Sequence, residues 1–410
     1  MERLEPTAEI QLAQLREHLQ AQRYSCVVTT NYVVNARAFL HALGRKDIDA
    51  RVVLLTDVDR YLAGLTRRRD QCKLPAMWLR SHRAAVQMLL RLVQGQWPPK
   101  TMPSTEEEVA ASQWVEGYDA WMLELRGLAA STRRDGCREA GLLLRWLRDQ
   151  GKEPACLSVP DLDRYIAWRC TTMRRSSKAT MVSTFRGVLR HLYRTGMVPV
   201  DLSTVIEGPP IYAQESIPST IRREDIDRAI QTARRDRSAL GRRDYAIMLL
   251  LATYGLRSSE IRGLLLKDID WRHDRLRIQH VKTGGCTELP LMPEVGSALV
   301  AYLRHGRPET PYREVFIRAQ APYQPLSSGG ALYALVGRRL QAAGVTLTGR
   351  RGAHVMRHSR ASSLLSEGVP IKIIGDVLGH RSANSTAIYL KLDTDNLRAI
   401  SLELPGGMMP

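Results

Sequence analysis

A heptapeptide that recurs 104 residues downstream is the feature that most constrains the fold of this chain. Residues 57–63 (DVDRYLA) return as residues 161–167 (DLDRYIA). The apolar residues that the same offset aligns upstream are Phe39 with Leu143, Leu40 with Leu144, Leu43 with Leu147, and Leu19 with Leu123. Both copies have the periodicity of amphipathic helices, and each ends in a basic helix, expected over about 76–94 and about 178–195.

Two copies are too few for a solenoid. The repeat therefore predicts duplication of a small all-helical module, and the alternative is chance similarity between helices rich in Leu and Arg. Two proline-containing stretches, 97–104 and 207–219, have the composition of linkers. They divide the chain into an N-terminal helical module at 1–98, a second helical module at 105–206 and a third domain at 217–410.

The third domain has a different pattern. An apolar helix over 244–254 is expected to end at Gly255, and Ser258 or Ser259 to cap the next helix, with Glu260 in its first turn. Strand-like runs at 275–282 and 287–291 flank a glycine-containing turn, which predicts a hairpin. The predicted fold class is mainly α, with a small antiparallel β-sheet in a mixed α+β third domain.

The net charge of +18 and the pI of about 10 favour a polyanionic partner, although a solvated basic surface would give the same numbers. None of the six cysteines forms a CxxC pair, so we expect no structural zinc site. The N-terminus lacks the pattern of a signal peptide, and no apolar run approaches the roughly 20 residues of a membrane span. We expect a soluble cytoplasmic protein with reduced thiols and no membrane partner.

Four stretches of the third domain carry residues suited to phosphate chemistry. Each one taken alone is more often structural than functional. They are 253–260 with Arg257 at a helix junction, Lys282 on the hairpin, 354–358 with His354 and Arg357 at i, i+3 spacing, and 378–389 with His380 and Tyr389. Their joint occurrence in this order favours a common site.

In that order the stretches resemble the catalytic domain of the tyrosine recombinases, or phage integrase family, over about 217–400. The matching residues are Arg257 and Glu260 (GLRxxE), Lys282, His354, Arg357 and His358 (HxxRH), His380 (LGH) and Tyr389. Residues 366–380 (SEGVPIKIIGDVLGH) follow the family pattern closely. By the same resemblance 105–206 looks like the family's DNA-binding core-binding domain, and 1–98 looks like a second module of that kind, which many members lack.

The resemblance implies a site-specific recombinase or integrase that cuts and rejoins DNA without metal, ATP or another cofactor, and it extends to the recombinases of mobile elements. Tyr389 would attack a phosphodiester and form a 3′-phosphotyrosine link. Arg257 and Arg357 would stabilise the phosphate charge, and Lys282 would be the general acid. His354 would transfer a proton or orient the phosphate, and His380 would donate a hydrogen bond to the phosphate. Glu260 and His358 would hold these catalytic side chains in position.

One departure weakens the assignment of Lys282. Family members often carry basic residues after the hairpin turn, whereas this chain has 285–288 (GCTE). The tail at 389–400 suits a short amphipathic helix that packs either in cis or on a neighbouring protomer. The implied partners are double-stranded DNA and further copies of the chain, from dimer to tetramer on DNA, or sister recombinases.

Three alternatives remain open at the level of sequence. A type IB topoisomerase would use the same chemistry on any sequence. A DNA-binding accessory protein would keep the fold and cut nothing. A metal-dependent transposase would need a carboxylate cluster on a strand-rich core, which the sequence does not contain.

Overall fold

In the computed structural model of the chain, the described residues are 5–99, 103, 105–212, 218–280, 284–346, 352–380 and 384–392. Among them, contacts group those from 1–99 and 216–410 in one compact unit and those from 100–215 in a second. The buried apolar side chains form separate cores for the N-terminal helices, the middle helices and the third part of the chain. A smaller cluster surrounds Tyr389.

The N-terminal helices form a four-helix module. They are α1 (Pro6–Ala21), α2 (Cys26–Gly44), α3 (Leu55–Gln71) and α4 (Ala76–Gln94). Its core includes Leu15 and Leu19 from α1, Phe39 from α2 and Leu89 from α4, all fully buried. Ser25 caps α2 by accepting a hydrogen bond from the Val28 N–H, as its extended backbone and short hydroxyl side chain allow.

The middle module repeats this arrangement helix for helix. Its helices are α5 (Glu106–Glu124), α6 (Ala130–Asp149), α7 (Val159–Cys170) and α8 (Arg175–Arg194), with a 3-10 turn at Pro154–Cys156. The recurring heptapeptide has a structural reason. Asp57 and Asp161 each sit in the first turn of the third helix and accept a hydrogen bond from the backbone N–H three residues upstream, of Leu54 and Ser158.

The third part of the chain packs helices around a small sheet. Its helices are α9 (Arg223–Arg235), α10 (Ala239–Tyr254), α11 (Ser258–Arg262), α12 (Pro293–His305), α13 (Gly329–Ala342), α14 (Ala353–Ser366), α15 (Ile371–Leu378) and α16 (Asn384–Ala387), with 3-10 turns at Leu266–Asp268 and Ile388–Leu392. The strands β1 (Ile269–Asp270), β2 (Arg275–His280) and β3 (Gly285–Pro290) form an antiparallel sheet in the order β1-β2-β3. Side chains of β2 alternate, so that Leu276, Ile278 and His280 face the interior.

The predicted fold class is therefore confirmed, including the small antiparallel sheet. The predicted hairpin is present as β2 and β3, whereas residues 281–283 of its turn lie outside the described residues. The predicted serine cap of α11 is wrong, because Arg257 is the residue before the helix and its own N–H is satisfied by Glu260. In the part of the chain that the structure describes, no helix has the length and apolar character to cross a bilayer.

Candidate active site

Arg257 lies at the junction where α10 ends and α11 begins. Gly255 ends α10 with a φ of 63°, and a Cβ there would come within 2.8 Å of Leu378 Cδ2, so only glycine fits. Arg257 Nη1 donates to Glu260 Oε1 at 2.7 Å, and Nη2 donates to the Gly379 carbonyl at 3.0 Å. Glu260, expected to support the site, thus contacts Arg257. Burial opposes ionisation of Glu260, but hydrogen bonds from Arg257 and His280 outweigh it and lower its pKa.

Arg357 reaches the same place from α14 and is 2 % exposed. It donates to the Gly255 carbonyl at 2.9 Å and to the Leu378 carbonyl. The two arginines therefore bind successive carbonyls at the C-terminal end of α15, where helix carbonyls lack intrahelical partners. Burial, followed by repulsion from Arg257, lowers the pKa of Arg357 to about 10. Two guanidinium groups therefore lie near each other and are partly shielded from solvent. An anion bound between them would balance their positive charge.

Tyr389 lies beside these arginines on the 3-10 turn Ile388–Leu392. Its ring is 3 % exposed and packs against Leu364, Ile374 and Leu378. Its hydroxyl is 3.0 Å from Nδ1 of His358, which comes from α14. Burial raises the pKa of Tyr389, although Arg357 and Arg257 pull it down. The phenol thus sits within the electrostatic field of both arginines of its own chain.

His380 follows Gly379 at the end of α15. Its Nδ1 is 2.8 Å from the Thr386 hydroxyl, and its ring lies parallel to that of Tyr389 with 6.4 Å between centroids. Burial, and then repulsion by Arg357 and Arg257, lowers the pKa of His380 to about 4. The imidazole is therefore neutral at pH 7 and can use Nε2 as a neutral donor if Thr386 donates to Nδ1.

The remaining two predicted residues differ in outcome. His354 begins the turn of α14 that ends at His358, and their rings stack at 5.4 Å with 7° between planes. His354 is exposed whereas Arg357 is buried, so the two side chains leave α14 toward different surroundings despite their i, i+3 spacing. Lys282 lies outside the described residues.

His280 belongs to this site and was missed at the level of sequence. Its Nδ1 is 2.7 Å from Glu260 Oε1, and its Nε2 is 2.8 Å from the Thr287 hydroxyl across the hairpin. A Cβ on Gly379 would come within 2.4 Å of the His280 ring, so this imidazole packs directly under the backbone turn that Arg257 binds. The strand alternation could have found it, because position 280 is in phase with the buried Leu276 and Ile278.

In the described part of the hairpin after the turn, residues 284–290, the one charged side chain is paired. Glu288, one of the residues that depart from the family pattern, accepts hydrogen bonds from Arg275 and Arg277 at 3.1 Å each. Glu288, which stands where family members often have a basic residue, is thus paired across the strands with two arginines. Within the described ranges, no three His, Cys, Asp or Glu side chains are grouped so that they could hold a metal ion.

Comparison with known proteins gives a consistent result. Residues 219–396 match the sequence pattern of the Phage integrase family. A protein of Sinorhizobium fredii (strain NBRC 101917 / NGR234), y4rA, whose name suggests an integrase or recombinase, is 31% identical over 396 residues, which cover 95% of this chain and 93% of that protein. Tyrosine recombinase XerD of Lacticaseibacillus casei is 28% identical over 282 residues, covering 67% of this chain and 92% of that protein.

A solved structure of similar fold is that of a lambda integrase tetramer bound to a Holliday junction. It matches with a TM-score of 0.53 and 17% sequence identity, and the match covers 75% of this chain and 86% of that one. At this level of identity the likeness shows a shared fold.

Proposed function

This chain belongs to the phage integrase family of tyrosine recombinases, and from that premise we propose that it cuts and rejoins DNA at specific sites, with Tyr389 as the nucleophile. The observation that carries the proposal is the convergence of Arg257, Arg357 and Tyr389. Both arginines bind the backbone at the end of α15, and both act electrostatically on the Tyr389 hydroxyl.

The reaction follows from these groups. The Tyr389 oxygen attacks the phosphorus and loses its proton, the bond to the 5′ oxygen breaks, and a proton passes to that oxygen. The product is a 3′-phosphotyrosine link and a free 5′-hydroxyl, which can attack in reverse to rejoin a strand without ATP. Lys282 is the proposed donor of the proton to the leaving oxygen. The guanidinium groups of Arg257 and Arg357 would offset the negative charge that develops on the non-bridging oxygens.

The histidines have separate proposed roles. His380, being neutral, would donate a hydrogen bond from Nε2 to a phosphate oxygen. His358 accepts or donates at the Tyr389 hydroxyl and would orient it. His354, exposed one turn away, would meet the DNA or carry a proton to His358, on which it stacks.

The middle module offers a surface for the duplex. A cleft of about 660 Å³ is bordered by Arg138 of α6 and Arg174 at the start of α8, together with hydroxyls such as Ser176 and Thr180. Asp135, Glu139 and Arg169 also line it, and the last two pair with each other. Guanidinium and hydroxyl groups of this kind bind phosphate oxygens without reading sequence. We propose that residues 105–206 act as a core-binding domain through this face, separate from a catalytic domain at 217–410 and an N-terminal module at 1–98.

Assembly on DNA is part of the proposal. The lambda integrase structure of similar fold is described as a tetramer bound to a Holliday junction. Two strand exchanges need four cuts, one from each of four tyrosines, so we propose that this chain forms dimers to tetramers on DNA, with itself or with sister recombinases.

Strand cleavage should not require a metal ion, because the two arginines supply the positive charge at the phosphate. Formation of a covalent adduct on nicked duplex DNA should therefore have the same rate in excess EDTA as in buffer with Mg²⁺. The same preparation should relax supercoiled plasmid only where a preferred site is present. Adduct formation abolished by EDTA, or relaxation of every plasmid tested, would point to the metal-dependent or the topoisomerase alternative instead.

His280 is a proposed positioning residue, since it joins the hairpin strand that leads to Lys282 with Glu260, the partner of Arg257. The variant His280→Phe keeps an aromatic ring under Gly379 but loses both hydrogen bonds. We expect the rate of cleavage by bound enzyme to fall by about 10- to 100-fold, as small misplacements of reacting groups do, while the Kd for DNA stays unchanged.

The conservative variant His280→Gln, which can bond Glu260 again, should recover part of that rate in a single-turnover assay. A purely structural role predicts instead that rate loss follows the loss of thermal stability in both variants. Unchanged single-turnover cleavage in His280→Phe would remove His280 from the site.

A further inference from the structure

The net positive charge of the N-terminal module is concentrated where α3 leads into α4. Residues 60–83, from α3 into α4, contain seven basic residues and one acidic residue. Residues 5–50, which span α1 and α2, contain five of each. Such an uneven distribution of charge within one small module is typical of a surface that binds a polyanion.

Four of these cations define what we call the N-terminal basic patch: Arg68, Lys73, Arg80 and Arg83. Arg68 lies in the last turn of α3, Lys73 in the four-residue connection, and the other two in the second turn of α4, where their i, i+3 spacing puts them on one face. All four are exposed. Among the described residues none of the four pairs with a carboxylate, whereas the nearby Arg60 and Arg69 pair with Asp57 and Asp70.

Among the described residues of the N-terminal module, no buried carboxylate compensates the charge of the patch. In the middle module, buried Glu139 accepts a hydrogen bond from the Tyr165 hydroxyl at 2.7 Å and pairs with Arg169. The offset of 104 residues puts Asn35 and Tyr61 at the positions of Glu139 and Tyr165. The Asn35 amide donates instead to the Ser81 hydroxyl at 3.0 Å. The buried carboxylate of one module is thus a neutral amide in the other, and the patch keeps its full positive charge.

Two buried polar atoms in α3 and α4, the helices that carry the patch, are unpaired among the described residues. Nδ1 of His82, a residue only 7% exposed, and the Tyr61 hydroxyl have no hydrogen-bond partner within the part of the chain that is described. Burial, and then repulsion from Arg68, lowers the pKa of His82, which lies between Arg80 and Arg83 in α4.

The same segment is basic in the middle module. Residues 164–187, offset from 60–83 by 104, contain six basic residues and no acidic one, and Arg169 and Arg174 among them border the cleft described above. The two modules therefore both carry basic side chains where the third helix leads into the fourth. Most of these side chains do not stand at equivalent positions of the repeat. Charge at this junction, and not a particular residue, is what the modules share.

We propose that the N-terminal basic patch binds the phosphate backbone of a second stretch of duplex DNA, which gives this chain two helical DNA-binding modules in tandem. The choice of DNA as the polyanion rests on the proposed function. The binding would be independent of base sequence, because all four groups are cations suited to phosphate oxygens. It would lengthen the duplex that one protomer contacts without adding to the catalytic site.

The test compares full-length variants by the salt dependence of binding to a fluorescein-labelled 60-base-pair duplex of random sequence. Each phosphate contact contributes about 0.9 to the slope of log Kd against log salt concentration. The variant Arg80→Gln/Arg83→Gln should therefore reduce that slope by about 2. The matched control, Arg16→Gln/Lys46→Gln, removes the same net charge from exposed positions of α1 and the α2 end and should leave the slope unchanged. Circular dichroism establishes that both variants are folded.

Each outcome bears on the proposal. An unchanged slope in Arg80→Gln/Arg83→Gln, while Arg174→Gln/Lys178→Gln in the middle module lowers it, would overturn the inference and leave the proposed function standing. Equal reductions in the patch variant and its control would also overturn it, since they would reflect net charge alone. If the wild-type chain shows no salt-dependent binding, both proposals fail together. An altered sedimentation mass with an unchanged slope would assign the patch to a protein contact.

Discussion

Replacing Arg357 by Ala should reduce the rate of DNA cleavage by about 10²- to 10³-fold, the usual loss when a preorganised donor to a developing oxyanion is removed. Arg357 is buried, carries a depressed pKa, and lies next to both Arg257 and Tyr389. DNA binding should largely survive, because most phosphate contacts lie elsewhere. The measurement is single-turnover cleavage of a nicked duplex at saturating enzyme, with Kd determined in parallel by anisotropy.

The variant also has a structural cost, because the Gly255 and Leu378 carbonyls lose their donor. A buried carbonyl without a partner costs about 1–3 kcal/mol. Arg360→Ala is the matched control: Arg360 lies on the same helix and donates to the Thr253 carbonyl at 3.0 Å, one turn from the site. It should lose comparable stability and keep cleavage. If both variants lose cleavage in proportion to their loss of stability, Arg357 stabilises the fold and does not take part in the reaction. If Arg357→Ala loses DNA affinity as strongly as cleavage, Arg357 contributes to DNA binding and not to the reaction.

Replacing Tyr389 by Phe should eliminate the covalent adduct while leaving the fold and DNA binding in place. The ring stays in its apolar cluster with Leu364, Ile374 and Leu378, and the hydroxyl is lost together with its hydrogen bond to His358 and its interaction with Arg357. Loss of one such bond changes the free energy of unfolding by about 1 kcal/mol. The measurement is adduct yield on denaturing gels, with thermal unfolding and Kd recorded for the same protein.

A second buried tyrosine provides the control. The Tyr302 hydroxyl accepts a hydrogen bond from the Ile317 N–H at 3.2 Å in the core of the third domain, away from the arginines. Tyr302→Phe should match Tyr389→Phe in stability and retain adduct formation. Wild-type adduct yield in Tyr389→Phe would show that another residue is the nucleophile or that the accessory-protein alternative deserves preference.

Much of the fold follows from the sequence because its signals are local. The recurring Asp57 and Asp161 mark helix starts, Gly255 marks a helix end, and the hairpin shows strand alternation. Four residues that the sequence grouped in one candidate site, Arg257, Arg357, His380 and Tyr389, lie near one another in the structure, whereas His354 is exposed. The structure adds that Arg257 donates to the Gly379 carbonyl and Arg357 to the adjoining Leu378 carbonyl, which no spacing reveals.

What the sequence could not predict depends on long-range contacts. His280 looks like an ordinary strand residue until Glu260, 20 positions upstream, and Gly379, 99 positions downstream, are brought against it. The cap of α11 was mispredicted for a similar reason. Serine is the better intrinsic cap, but the Glu260 carboxylate, held in place by Arg257 and His280, satisfies the first N–H group instead.

The most direct test of the account is to identify the residue that carries DNA after cleavage. The protein is incubated with a pool of nicked duplexes randomised over their central region, the covalent adducts are recovered and trimmed with nuclease, and the peptides are sequenced by mass spectrometry. We expect a nucleotide attached through its 3′ phosphate to Tyr389. A 5′-phosphate linkage, or attachment to any other residue, would contradict it.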